Sequence, residues 1–215
     1  MHDAKRRRLQ EGIAHPRRSA NTIQGKVPTF STFFKDGNKY ELEYLDRLDH
    51  EHPHKSVFLA HAKRADSDNV DTSLVVVKFT RTYGKRGHQL LANEHPPLAP
   101  TLWYCEPVQE LGGLWMVVMD HVKSHGALGD GGKFQIKKAI TILQAHGLVF
   151  GDLRLPNVLT SKNSVMLIDF DWCGEAGTAV YPASINMDIP WPSDVYGGAL
   201  LKASHDDFMF QQLDS

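Results

Sequence analysis

Two carboxylates and one amide in the second half of the chain are of the types that phosphoryl transfer uses, oxygens for a divalent cation and a carboxylate for an attacking hydroxyl. Asp152 and Asn157 stand five residues apart in Gly147-Leu-Val-Phe-Gly-Asp152-Leu-Arg154-Leu-Pro-Asn157-Val-Leu, a polar stretch between two apolar segments. Asp169 follows ten residues after Leu159, directly behind the apolar run 165–168. Carboxylate and amide oxygens are the donors that Mg²⁺ takes from proteins. Upstream, Lys78 sits in Ser73-Leu-Val-Val-Val-Lys78-Phe, and an ammonium embedded in such a strand needs a partner or an anionic ligand. A cation for phosphates, oxygens for Mg²⁺ and a carboxylate facing an attacking hydroxyl are what phosphoryl transfer from ATP asks of a protein, because that reaction needs positioning and charge neutralisation more than covalent help. Each part also has a plainer explanation. Asp152 and Asn157 can satisfy backbone groups of a Pro-containing turn, Asp169 can cap one, and Lys78 can snorkel from an edge strand.

Those residues need elements to position them. Segments 56–63 and 73–80 are rich in Val, Phe and Leu and flank the polar stretch 64–72, which predicts two antiparallel strands joined by a surface loop. Segments 101–106 and 114–122 predict a second pair, joined across Leu111, Gly112 and Gly113, with a short helix around His88 to Asn93 between the pairs. Ile136, Ala139, Ile140 and Leu143 then recur at helical spacing, with Gly147 placed as a C-terminal cap. Short apolar pieces at 148–150, 158–160 and 165–168 follow, separated by 151–157 and by the turn 161–164, so that polar residues at their ends converge. No internal repeat is present.

The 215 residues, 41% hydrophobic and 23% charged, are enough to bury a sizeable core. No run approaches the roughly 18 apolar residues of a spanning helix, and the start of the chain is charged rather than apolar, so the expectation is an intracellular protein of cytoplasm or nucleus with no membrane partner. Cys105 and Cys173 are too few for a disulfide framework and lack metal-ligand spacing. Among the 12 histidines, the densest run, His50, His52 and His54, lies in a polar stretch and gives weak grounds for a metal site. Residues 1–20 hold six Lys/Arg against Asp3 and Glu11, a local +4 that leaves −5 of the overall −1 for the rest. The basic tail 1–25, with few apolar residues, is expected to be disordered, and a nucleic-acid partner is not expected from it.

Taken together, the motifs resemble those of protein kinases. Asp152-Leu-Arg154-Leu-Pro-Asn157 resembles the catalytic loop, Asp169-Phe170-Asp171 the metal-binding Asp-Phe-Gly motif, and Val75-Val-Val-Lys78 the Val-Ala-Ile-Lys strand, all in kinase order across most of residues 55–172. Phe-Gly-Asp-Leu-Arg, Asp-Phe-Asp-Trp and Tyr-Pro are similar to phrases in the divergent kinase-like proteins of mushroom-forming fungi. The resemblance implies an α+β, bilobal protein-kinase-like fold: an antiparallel-sheet N-lobe over 26–119 and a short, truncated helical C-lobe over 120–215. It implies ATP and Mg²⁺ as cofactors. Asp152 would orient the acceptor hydroxyl and take its proton, and Arg154 would neutralise the transferring phosphoryl. Asn157 and Asp169 would hold the metal, Lys78 would contact the nonreacting phosphates, and backbone groups around Asp120 to Val122 would meet the adenine edge. Tyr181 and Pro182 would lie in the activation segment.

Departures from the kinase pattern are equally legible. No glycine-rich segment precedes Lys78, its place being held by His50-Glu-His-Pro-His-Lys55. Arg86 stands where a helix glutamate should pair with Lys78, leaving Glu94 as a substitute. Phe150-Gly151 replaces His-Arg, Asp171 replaces the last glycine of Asp-Phe-Gly, and 43 residues follow Trp172. The reading favours an ATP-dependent phosphotransferase acting on a protein Ser or Thr hydroxyl. The alternatives are a small-molecule kinase of the aminoglycoside or choline type and a pseudokinase-type binding module without turnover.

Overall fold

Alternation of apolar and polar residues builds the first half of the chain into strands. In a computed structural model describing residues 28–49, 56–66, 72–124, 128–161 and 164–214, six strands form one antiparallel sheet. They are β1 (Thr32–Lys35), β2 (Asn38–Arg47), β3 (Ser56–Arg64), β4 (Thr72–Thr80), β5 (Leu102–Val108) and β6 (Leu114–Asp120), in the spatial order β1-β2-β3-β4-β6-β5. The expected strands at 56–63, 73–80, 101–106 and 114–122 are thus present to within two residues at each end. The basic tail and the His50–Lys55 segment lie outside the described residues.

The sheet belongs to the first of two compact units, comprising residues up to Arg81 with Leu102–Val122. Period-two alternation buries Phe58, Ala60 and Ala62 of β3 and Val75 and Val77 of β4; the two alanines and two valines pack with Phe33, Leu42, Val108, Met116 and Val118, and Phe58 packs against Tyr44 and Phe79. Full burial of Val75 or Val77 stabilises the sheet by about 2 kcal/mol each. The hairpin joining β1 to β2 turns at Asp36-Gly37, both at positive φ, 50° and 76°. That pair is the tight turn Asp-Gly sequences favour, because its twist matches that of the flanking strands. The sheet curls until its two edge strands, β1 and β5, meet: Phe33 lies 5.8 Å from Tyr104 and Tyr40 lies 5.5 Å from Trp103.

The second unit comprises Thr82–Thr101 and Lys123–Ser215. Its helices are α1 (Lys85–Ala92), α2 (Asp130–Ala145) and α3 (Ala203–Gln211). Helix α2 buries Ile136, Ala139, Ile140 and Leu143, the positions marked by helical spacing, and Gly147 follows it at φ 72°, the left-handed conformation that ends helices without steric cost. Short strands β7 (Leu148–Val149) and β10 (Gly174–Glu175) pair with each other, as do β8 (Val158–Thr160) and β9 (Val165–Leu167). The architecture is α+β, an antiparallel sheet in one unit and helices with short strand pairs in the other. Among the described residues no helix is long and apolar enough to cross a membrane.

Candidate active site

The loop leaving β7 is built to present polar groups from a buried base. Gly151 takes φ 81°, a conformation a side chain would resist, and Leu153 is fully buried, so the loop that carries Asp152, Arg154 and Asn157 is pinned by its apolar residue. A 3-10 turn at Leu155–Asn157 then feeds β8, and the Asn157 carbonyl accepts the N–H of Ile168 at 3.0 Å, tying the loop to the segment that ends in Asp169.

Asn157 is fully buried, and its amide orientation follows from its partners. Nδ2 donates to the Asp152 carbonyl at 2.9 Å and to Asp152 Oδ2 at 2.7 Å. Oδ1 is therefore turned away from Asp152, and it is a buried acceptor with no hydrogen-bond partner among the described residues. Leaving such an atom unsatisfied costs about 1–3 kcal/mol, a cost that a cation would remove.

Asp152 is 6% exposed, and its carboxylate is gripped on both oxygens. Arg154 Nε donates to Oδ1 at 2.6 Å and Nη2 donates to Oδ2 at 2.7 Å, a bidentate fork. Burial raises the Asp152 carboxyl above the usual carboxylate range against the opposing pull of Arg154, and the nearby charge of Asp169 pushes it the same way as burial. Asp169 itself sits in the left-handed region, φ 71° and ψ 58°, which costs a non-glycine residue about 1–2 kcal/mol. A strained aspartate, a like-charged neighbour and an orphaned amide oxygen are concentrated within one short stretch of structure, the combination that functional sites display.

Helix α1 and the residues before it hold the segment after Asp169. Thr82 Oγ1 donates to the Asp171 carbonyl at 2.9 Å and the Gly84 N–H to the Phe170 carbonyl at 2.8 Å. Gly84 and Gly87 allow close approach: a Cβ at either would stand about 2.5 Å from atoms of Cys173. His88, fully buried, stacks on Phe170 at 4.7 Å with rings 12° from parallel. Its Nε2 is 2.7 Å from the Pro100 carbonyl, which can only accept, so Nε2 carries the proton and Nδ1 accepts from the Tyr83 hydroxyl at 2.6 Å. Burial pushes this imidazole down to about 4, keeping it neutral.

One residue escaped the sequence reading. Asp206 on α3 is 1% exposed and accepts the N–H groups of Phe150 at 2.7 Å and Gly151 at 2.9 Å, holding the Asp152 loop from behind. Burial pushes its carboxyl up to about 7 in spite of those two donors. Its partners lie more than fifty positions away, and no local pattern in Ser-His-Asp-Asp-Phe-Met-Phe distinguishes it from its neighbour Asp207.

The second unit thus brings together Asp152, Arg154, Asn157 and Asp169. Lys78, Asp120 and Val122 belong to the first unit. Lys78 stands on β4 opposite Val57 and Val117, and Asp120 ends β6 with Oδ1 accepting the Trp103 indole N–H at 2.6 Å. Of the expected adenine-edge backbone, the His121 N–H is committed to the Leu74 carbonyl at 3.1 Å. Arg86 is exposed, 3.9 Å from Glu175, and Glu94, the candidate substitute partner for Lys78, is paired with Lys138 of α2 at 2.8 Å. No cluster of three or more His, Cys, Asp or Glu among the described residues could hold a metal by itself. Mg²⁺ does not require one, since it is commonly held by one or two carboxylates with phosphate oxygens and water completing its shell. The orphaned oxygen of Asn157, a residue tied by its backbone to Ile168, fits that use.

No protein-family model matches the chain, and no curated protein matches it. Among solved structures the chain is similar to the Cydia pomonella granulovirus kinase PK-1, at 20% identity and a TM-score of 0.45. The match covers 68% of this chain and 58% of that one, so this chain spans less than two thirds of the viral protein's length. The likeness to fungal kinase-like proteins rests on the quoted motifs alone.

Proposed function

We propose that the second unit carries the phosphoryl-transfer site of an ATP-dependent phosphotransferase. The observation that carries this reading is the orientation of Asn157: its Nδ2 is spent on Asp152 and its buried Oδ1 is left without a partner, on a residue whose carbonyl accepts the N–H of Ile168, next to Asp169 in the chain. Bound Mg-ATP would supply the transferable phosphoryl group and the cation that neutralises its charge.

The chain's own residues divide the remaining work. Asn157 Oδ1 and the Asp169 carboxylate would hold the cation. Asp152, with its carboxyl raised by burial, orients the acceptor hydroxyl and takes its proton. Arg154 would donate to the transferring phosphoryl with the N–H groups it does not spend on Asp152, while its fork keeps that carboxylate in place. Lys78 is assigned to the nonreacting phosphates and the backbone of Asp120 to Val122 to the adenine edge, both on the likeness of their strands alone. A protein Ser or Thr hydroxyl is the favoured acceptor, because a basic residue and a proline follow Asp152 as they do in protein kinases; a small-molecule hydroxyl is the variant reading.

A second reading, a nucleotide-independent binding module of the same fold, is favoured by the Arg154 fork, which caps both oxygens of the carboxylate that should act as base. Calorimetric titration of ATP with and without Mg²⁺ separates the two. The phosphotransferase reading expects Mg-dependent binding that Asp169→Asn abolishes and that Asp152→Asn retains while losing turnover. Absence of binding to the unsubstituted chain would leave the binding module.

A further inference from the structure

The Arg154 guanidinium is fixed on a second side, by an aromatic platform. Arg154 Cζ stands 5.9 Å from the centre of the Trp191 ring, within reach of a cation–π attraction. Trp191 is only 8% exposed, and it cannot easily withdraw. Its indole N–H donates to the Asn186 carbonyl and its backbone N–H to the Ile189 carbonyl, at 2.9 and 2.8 Å. Trp172 lies 5.8 Å and Tyr181 6.0 Å from it, and those two are 5.9 Å from each other, so three rings brace one another in a triangle.

A guanidinium carries five N–H groups in a rigid fork. Two are used on Asp152, one from Nε and one from Nη2. The two on Nη1 and the second on Nη2 make no hydrogen bond to the described residues, although the side chain is only 23% exposed. One edge of the guanidinium is thus bound to a carboxylate, one face lies on an indole, and the remaining edge is a planar, positively charged donor set suited to phosphate oxygens.

We propose that Trp191 is a positioning residue that aims this edge of Arg154 at the terminal phosphoryl of bound nucleotide, and so sets how strongly the site prefers ATP to ADP. The proposal rests on the phosphotransferase reading above. ADP lacks the phosphoryl that Arg154 would meet, so whatever Trp191 contributes through Arg154 is felt by ATP and not by ADP. A lysine in place of Arg154 would lose both the fork and the stacking face.

The test is calorimetric titration of Mg-ATP and of Mg-ADP into the unsubstituted chain, Trp191→Leu, Trp191→Phe and Arg154→Gln, with Asp169→Asn as the metal control. Trp191→Leu is expected to weaken ATP by about fivefold to thirtyfold, the range of a half-desolvated cation–π contact, and to leave ADP unchanged. Trp191→Phe, which keeps a ring, should retain most of the preference, with a loss of about twofold to threefold; it carries the test if the leucine variant fails to fold. In the Arg154→Gln background Trp191→Leu should have no further effect. Equal weakening of both nucleotides, or of neither, would overturn the positioning role and make Trp191 a packing residue. Failure of the unsubstituted chain to bind either nucleotide would overturn instead the phosphotransferase reading beneath it.

Discussion

Asp206→Asn is the substitution whose consequences follow most directly from the geometry. The carboxylate is fully desolvated on α3 and takes the N–H groups of Phe150 and Gly151, one on each oxygen. Burial raises its carboxyl from 3.8 to about 7 in the folded chain. The folded state therefore holds this proton over a range of pH in which the unfolded chain has released it. Stability contributed by the group is complete below pH 3.8, falls as pH rises toward 7, and is constant above. At about 1.4 kcal/mol per pKa unit, the fall over the whole window is about 4 kcal/mol, and the part lying between pH 5 and pH 8 is about 3 kcal/mol. Asparagine does not titrate, so the variant lacks this slope. It also has one oxygen for two donors, which orphans one buried N–H at a cost of about 1–3 kcal/mol. Urea unfolding of both proteins at pH 5 and pH 8 isolates the effect, since the other ionisations are largely common to the pair. The unsubstituted chain should lose about 3 kcal/mol more than the variant on going from pH 5 to pH 8. Parallel profiles, agreeing to within about 0.5 kcal/mol, would refute the placement of Asp206 as a buried, ionisable anchor of the Asp152 loop.

Three further outcomes are expected. His88 is held neutral, with its imidazole pushed from 6.5 down to about 4, so stability present above pH 6.5 should drain away as pH falls toward 4, by about 3 kcal/mol in all; urea melts of His88→Phe over that range should lack this slope. Gly87→Ala would set a Cβ 2.4 Å from Cys173 Sγ and should destabilise the chain by about 1–3 kcal/mol, a loss that Cys173→Ala in the same chain should partly restore on thermal unfolding. Asp169→Asn removes a like charge that raises the Asp152 carboxyl, so that carboxyl, followed by NMR titration, should fall toward the usual carboxylate range, and asparagine tolerates the left-handed backbone at this position.

Much of this arrangement was legible where the physics is local. The alternation in Val75 and Val77, the helical recurrence of Ile136, Ala139, Ile140 and Leu143, and the spacing of Asp152 and Asn157 are each written within a dozen residues. Strand β1 is hard to read from its own residues, because the four bury only Phe33 and alternation over so short a run is weak; the Asp36-Gly37 turn is the signal that marks it. The last forty residues resisted for a different reason. Tyr181, Trp191 and Leu201 are buried by irregular chain, held through exchanges such as the Tyr181 N–H with the Ala199 carbonyl and the Leu201 N–H with the Ala179 carbonyl. Such pairings have no period to detect. The role of Asp206 was illegible in principle, since it is defined by backbone groups more than fifty positions upstream.

The meeting of β1 with β5 bears on how this sheet shields its edges. An open sheet ends in two rows of unpaired backbone donors and acceptors, and each row is a template on which a neighbouring chain can polymerise. Here the curl turns the two rows toward each other under a lid of Phe33, Tyr40, Trp103 and Tyr104, with the Lys35 ammonium 4.1 Å above the Trp103 ring. The short hairpin at Thr32–Asn38 thus covers the start of β2, pairing with Asn38 to Glu41, which would otherwise be a bare margin. Its loss would uncover that stretch of backbone together with the core around Phe33, so the protection of this edge rests on one of the smallest elements of the fold.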